Sequence, residues 1–350
     1  MAFPEFEAGK KRILFFSRGR GRGHAIQDIG IVRALEAMRP DLEVRFVSYG
    51  TGAETFRAFD ISLIDLDLPD YGGVVDTSVL AGKLIGWLQP DLVVSHEEFP
   101  AIPAAKIFDK PTLVLTDWFM EAEGYAMNSL KYADQILFLG QSGVFWEPPW
   151  IRERARYLGP VLRPFQYGRG DRLRARRELG IPADAVVVSV LPGSWLEADT
   201  PLLGAARDAF QALTADTKRL IWLAGADYSS IQEAMAGRPD VLVLEKYWDA
   251  DRLMVASDVA VTKTNRKTVF ELQYLGIPTI AASYGLNAGD DCAVAALQSV
   301  VRVSGRQLTG PELHRTITEL LLNPRAEDSL TFCRAQDCAE WISQAVQPAR

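Results

Sequence analysis

Short apolar runs rich in Val, Ile, Leu and Phe alternate along this chain with longer segments of helical period, and the alternation occurs twice. Strands that are apolar on both faces need cover on both sides, and a parallel sheet with crossover helices provides it. In the first half the strand candidates are residues 12–16, 43–47, 63–66, 92–95, 112–115 and 136–139. Between the first two, Ile26, Ile29, Val32, Ala34, Leu35 and Met38 share one face of a helix that stops before Pro40. Segments 101–108 and 121–132 read as further crossovers. The pattern breaks over 143–165, where FWEPPWIRERARYLGPVLRPF is rich in Trp, Pro and Arg, with one strand candidate at 157–158. That stretch reads as the end of one domain and a linker, the alternative being an irregular loop inside a single larger domain.

Alternation restarts at Arg172, with strands at 186–191, 220–224, 241–244, 259–262, 279–282 and 300–303 and helices at 202–213, 268–275 and 290–297. A last helix, 326–346, follows Pro324. The fold class is therefore α/β. Two Rossmann-like domains, 1–162 and 163–325, are expected to face each other across a cleft, and 326–350 to pack back on the first. A chain of 350 residues has length for two cores. Ligands in such sheets sit at the carboxyl ends of the strands, so the loops there are the ones to search.

Charge and cysteines narrow the function classes. A formal net charge of −7 argues against a dedicated nucleic-acid binder. The three cysteines, Cys292, Cys333 and Cys338, lack zinc spacing and suit reduced packing thiols in a cytosol. No apolar stretch near the start suits a signal peptide, and none approaches the roughly 20 residues of a spanning helix. The expectation is a soluble, cytoplasmic protein, with peripheral contact at the inner membrane face left open.

The first strand runs into Ser17-Arg18-Gly19-Arg20-Gly21-Arg22-Gly23-His24, and a helix follows at once. Glycines allow a tight turn and close approach to a ligand, and the helix start beyond offers N–H groups and partial positive charge. Such a loop also suits a dinucleotide, but Val47-Ser48-Tyr49 stands where a dehydrogenase needs an acidic residue for the ribose. Its placement between strand and helix speaks against an RNA-binding Arg-Gly repeat. His24 could take a proton from an attacking hydroxyl, or only hydrogen-bond the loop. His96-Glu97-Glu98 and Thr116-Asp117-Trp118 end two further strands, so Glu97 or Asp117 could assist His24, act as base, or cap a helix. Trp118, Phe119, Trp146 and Trp150 are either acceptor-stacking or packing aromatics.

In the second half, Gly193 and Ser194 end a strand in Leu191-Pro192-Gly193-Ser194-Trp195 and could donate to a diphosphate; the alternative is an ordinary turn. From Thr262 the sequence reads TKTNRKTVFELQYLGIP: a buried strand, a polar loop, then a helix ended by Gly-Ile-Pro. Lys263, Arg266 and Lys267 put positive charge where a leaving diphosphate would develop negative charge, which could replace a metal ion. Thr268 falls in the first helical turn. Glu271, a turn further on, can accept from two vicinal ribose hydroxyls. A solvated charged helix start is the plain alternative.

The Gly19–Ala25 loop resembles the glycine-rich motif of GT-B glycosyltransferases. The stretch from Thr262 to Pro278 resembles their donor-binding motif, especially in relatives of the bacterial cell-wall N-acetylglucosaminyltransferase that acts on a lipid-linked muramyl peptide. The layout agrees over most of the chain; only these motifs are specific. The resemblance implies an inverting, metal-independent transfer from a nucleotide sugar, usually a UDP-sugar; the acceptor stays open between a small molecule, a lipid-linked one and a glycan. It implies phosphate contacts from Ser194 and Thr268, ribose contact from Glu271, a base-bordering backbone near Tyr247, and sugar-facing Asn287, Asp290 and Asp291. Gly21, Arg22, Gly23, Gly193, Lys263, Thr264 and Asn265 complete the expected substrate-binding set. The family's small Ser-Gly-Gly type loop is here the bulkier, basic Thr264-Asn265-Arg266-Lys267, and its Asp-Gln or Gln-Gln pair is Asp290-Asp291. Two other readings stay open at this point: a nucleotide-sugar hydrolase or 2-epimerase, and a non-catalytic nucleotide-sugar binder.

Overall fold

A computed structural model describes residues 6–69, 73–117, 125–144, 147–193, 201–225, 228–245, 247, 249–285 and 288–346. The chain forms two compact units, one of residues 1–164 together with 331–350, the other of residues 165–330.

The first unit holds strands β1 (Lys11–Ser17), β2 (Leu42–Ser48), β3 (Leu63–Asp65), β4 (Leu92–His96), β5 (Thr112–Thr116), β6 (Gln135–Phe138) and β7 (Ala155–Tyr157). Its helices are α1 (Arg22–Met38), α2 (Gly50–Ala58), α3 (Val74–Leu88), α4 (Ala101–Ile107), α5 (Tyr125–Leu130) and α6 (Pro149–Arg154). The second unit has β8 (Val186–Val190), β9 (Lys218–Leu223), β10 (Val241–Leu244), β11 (Val259–Lys263), β12 (Thr279–Ser283) and β13 (Val301–Ser304). Around them lie α7 (Arg172–Glu178), α8 (Pro201–Ala212), α9 (Tyr228–Ala234), α10 (Ala250–Ala256), α11 (Arg266–Leu275), α12 (Ala288–Ala295) and α13 (Gly310–Leu322). The final helix, α14 (Ala335–Ala345), belongs to the first unit.

Both sheets are parallel throughout, ordered β3-β2-β1-β4-β5-β6-β7 and β10-β9-β8-β11-β12-β13. The period-2 alternation of side chains explains why each strand had to be apolar on both faces. In β1, Ile13 and Phe15 enter the core beneath α1, while Leu14 and Phe16 enter the core beneath α3 and α4. In β8, Val188 and Val190 pack under α8 and α13, and Val187 packs under α7 and α10. Burying one such side chain contributes about 1.5–3 kcal/mol, so a single polar replacement in β1 or β8 is costly.

The stretch after residue 143 closes the first unit and carries α6 and β7, the latter the seventh strand of the first sheet, close to the strand expected at 157–158. One expectation needs correction: the last helix starts at Ala335 rather than 326, because the intervening chain spends its polar groups elsewhere. Asp328 accepts from the backbone of Gln298 and Ser299, and Cys333 pairs with Val161 as an extended bridge. Asp337 then accepts from the Arg334 backbone N–H and starts the helix. Helix α14 lies against α1, burying Cys338, Ala339 and Ile342 beside Ile31 and Leu35. Among the described residues no helix is long and apolar enough to cross a membrane.

Candidate functional site

In the first sheet the chain leaves β1 to build one side and returns at β4 to build the other, so the loops after β1 and β4 diverge at the switch point where α/β proteins bind ligands. The glycines there are required for different reasons. Gly21, the residue before α1, has φ 79°, which only glycine adopts without strain. Gly19 packs against Tyr49, and a β-carbon on it would overlap that ring and the Tyr49 carbonyl. The turn delivers His24 into the first turn of α1 and Arg18 alongside it.

Both reach Glu97, just past β4. Glu97 Oε2 lies 3.0 Å from His24 Nε2 and accepts from Arg18 Nη1 at 3.0 Å. Its other oxygen accepts from Thr116 Oγ1 and from the Asp117 backbone N–H, each at 3.1 Å. The Glu97 side chain is 1% exposed, yet its backbone sits in the left-handed region at φ 57°. Such backbone costs of order 1–3 kcal/mol and persists where surrounding contacts fix it, often at functional sites. Glu97 does not cap the following helix; α4 has Pro100 before it and no side-chain cap. Asp117 contributes its backbone to this network and is half-buried. Neighbouring Glu98 is 5% exposed, accepts from Tyr49 Oη at 3.0 Å, and burial pushes its carboxyl up to about 7.

The second sheet repeats the switch point between β8 and β11. Gly193, after β8, has φ 72°, and a side chain there would press on Asn265 Nδ2 at 3.2 Å and Lys263 Cε at 3.7 Å. Lys263 ends β11 only 8% exposed. Burial pulls its ammonium down to about 8, against the opposing pull of the Asp290 charge. Thr264 N–H is held by Ala282 O at 3.1 Å and Asn265 N–H by Lys263 O at 2.6 Å, which turns the chain into α11. Asn265 precedes α11 without capping it by its side chain. A ten-residue helix therefore starts, partial positive charge foremost, beside a buried lysine and a glycine that leaves room.

Thr268 and Glu271 lie three residues apart on one face of α11, both half-buried. Arg266, 6% exposed, holds Asp290 with Nε 2.5 Å from Oδ1, and Asp291 accepts from Ser283 Oγ at 2.7 Å. Both carboxylates of the first turn of α12 thus already have protein partners. Tyr247 follows β10, half-buried, with the Arg252 guanidinium 5.8 Å from its ring centre. Ser194, Asn287, Trp118, Phe119 and Trp146 lie outside the described residues. Trp150 packs on the core of α4, β5 and β6. Sequence reasoning missed Arg18, Thr116 and Tyr49 as partners of the two glutamates, because their roles come from strand neighbours rather than from spacing.

No family model matches the chain. It is 25% identical over 351 residues to a UDP-N-acetylglucosamine–N-acetylmuramyl-(pentapeptide) pyrophosphoryl-undecaprenol N-acetylglucosamine transferase of Desulforudis audaxviator, covering 90% of this chain and 91% of the relative. Among solved structures it resembles the glycosyltransferase of kitacinnamycin, with a TM-score of 0.72 and 17% identity over 97% of this chain and 100% of the other. It also resembles a UDP-N-acetylglucosamine 2-epimerase from Listeria monocytogenes, with a TM-score of 0.69 and 15% identity over 96% of both chains. The structural likenesses give the fold, the two-sheet GT-B fold that glycosyltransferases and UDP-N-acetylglucosamine 2-epimerases share, and over most of its length the chain is similar in sequence to a bacterial cell-wall N-acetylglucosaminyltransferase.

Proposed function

We propose that the chain moves a sugar from a UDP-sugar to a hydroxyl of a lipid-linked acceptor, with inversion at the anomeric carbon and without a metal ion. The observation that carries the reading is Lys263: a lysine 8% exposed, its ammonium pulled down to about 8, beside the open start of a helix. Burial disfavours that charge while the Asp290 carboxylate favours it, and a diphosphate beside the ammonium would add further favourable charge. A diphosphate suits the space that Gly193 keeps clear and the N–H groups of the first turn of α11. Thr268 adds a hydroxyl to the phosphates, with Ser194 from the loop after β8, and Glu271 takes the ribose hydroxyls. The UDP-sugar and the lipid-linked acceptor follow the name of the Desulforudis audaxviator relative.

In this scheme Glu97, an acceptor toward four donors, keeps the His24 proton on Nε2 and makes Nδ1 the basic nitrogen. The acceptor oxygen attacks the anomeric carbon and its proton passes to Nδ1. The bond from that carbon to the phosphate oxygen breaks, and UDP departs with the electron pair, stabilised by Lys263 and the α11 dipole. Glu97 is then the partner that steadies the imidazolium, rather than the base, and Asp117 holds Glu97 through its backbone.

Incubation with UDP-N-acetylglucosamine, a lipid extract and EDTA tests the reading. Transfer of label to lipid is expected; release of free sugar or of an epimer without acceptor would replace transfer by hydrolysis or epimerisation. Loss of UDP binding in EDTA would overturn metal independence.

A further inference from the structure

Beneath His24 and Glu97 lies a second pair, wholly buried, which this scheme does not use. Asp28, on the inner face of α1, and His96, the last residue of β4, are both fully shielded, with Asp28 Oδ1 2.6 Å from His96 Nδ1. Burying such a pair among apolar neighbours is expensive, and exchanging it for apolar groups of equal size is often neutral or stabilising. Stability alone does not account for it.

Two observations aim the pair at the site. The His96 ring meets the His24 ring edge to face, with centroids 4.6 Å apart and planes at 77°. Glu97, which holds the other side of His24, is the residue after His96, so one short stretch of chain sets both neighbours of the imidazole. The proton between Asp28 and His96 belongs on Nδ1. Among the described residues His96 Nε2 is buried without a partner, and an N–H there would have no acceptor. The carboxylate therefore fixes both the tautomer and the ring plane of His96, and that plane is the surface on which His24 rests.

We propose that Asp28 and His96 are positioning residues for His24, holding its imidazole in the plane that directs Nε2 at Glu97 and Nδ1 outward. The catalytic part of this inference rests on reading His24 as the base. The geometric part does not.

The chain has three histidines, so isotope-labelled histidine gives three ring systems to follow by NMR, and His24→Ala assigns one of them. In the intact protein His24 should show a single tautomer protonated at Nε2, and His96 one protonated at Nδ1. In Asp28→Asn the amide can present its NH2 group, so Nδ1–H is no longer enforced. His96 should then become a mixture of tautomers, the His24 ring signals should shift and broaden as the surface it rests on loosens, and kcat should fall roughly tenfold or more while the donor KM stays within about twofold. His24 signals identical to wild type in D28N would overturn the proposal. Should D28N fail to fold, His96→Phe keeps an apolar ring in the same space and must disturb the His24 signals equally; unchanged signals there are equally fatal. A disturbed His24 spectrum with unaltered kcat would uphold the positioning and remove His24 from the chemistry, which separates this inference from the functional reading.

Discussion

Single residues in this protein carry ionisation states that water would not give them. Glu98 is the clearest case for stability, because its carboxyl is raised from 4.5 to about 7 by burial. Between those two pH values the folded chain holds a proton that the unfolded chain has lost, so its contribution to stability falls as pH rises through that window. Glu98→Gln keeps an acceptor for Tyr49 and removes the charge. It should leave the unfolding midpoint near wild type at pH 4.5 and raise it at pH 8, by an amount corresponding to at most about 3 kcal/mol. Equal effects at both pH values would mean that Glu98 titrates normally. Glu97 tests the chemistry instead. Glu97→Gln retains the shape but offers an NH2 group where two oxygens accept from four donors, so kcat should fall about 100-fold or more, with UDP affinity unchanged by calorimetry.

At the scale of elements, the switch-point loops and the helices behind them do the positioning. Gly21 has no atom near its missing β-carbon, so only its backbone angle objects to a side chain. Gly21→Ala should cost about 1 kcal/mol in denaturant melts, whereas Gly19→Ala must displace Tyr49 and should cost more. A reversed order would show that the loop is held otherwise. The strands were legible in the sequence because β1, β4, β8 and β11 are apolar on both faces, and the loops were legible from glycine and charge. Helix α3 was not: VVDTSVLAGKLIGWL opens on β-branched residues and is apolar on several faces, so no helical period stands out. The Asp28–His96 pair was also hidden, since it joins residues 68 positions apart. Its one trace was an aspartate among the mainly apolar residues on the buried side of α1.

For the whole molecule, each unit has its own parallel sheet and its own cores, and the last helix is shared with the first unit alone. Ending the chain at Leu330 would strip Cys338, Ala339 and Ile342 from the α1 face. Hydrogen exchange should then show lost protection in β1, α1 and β2 and retained protection in β8 to β13; uniform loss would mean that the units do not fold as separate cores. The donor reading is likewise a claim about one unit, and Lys263 decides it. With its ammonium pulled down to about 8, the folded protein resists protonating it, so stability attributable to this residue rises with pH between about 8 and 10.5. Lys263→Met should therefore stabilise the fold at pH 7 and weaken the ligand site at the same time. Calorimetric titration of UDP into wild type and K263M, in EDTA at pH 7, is the most direct test: the account predicts tight binding to wild type and an affinity lower by about tenfold or more in the variant. Equal affinities would contradict it, and with them the claim that this buried lysine and the start of α11 receive the diphosphate.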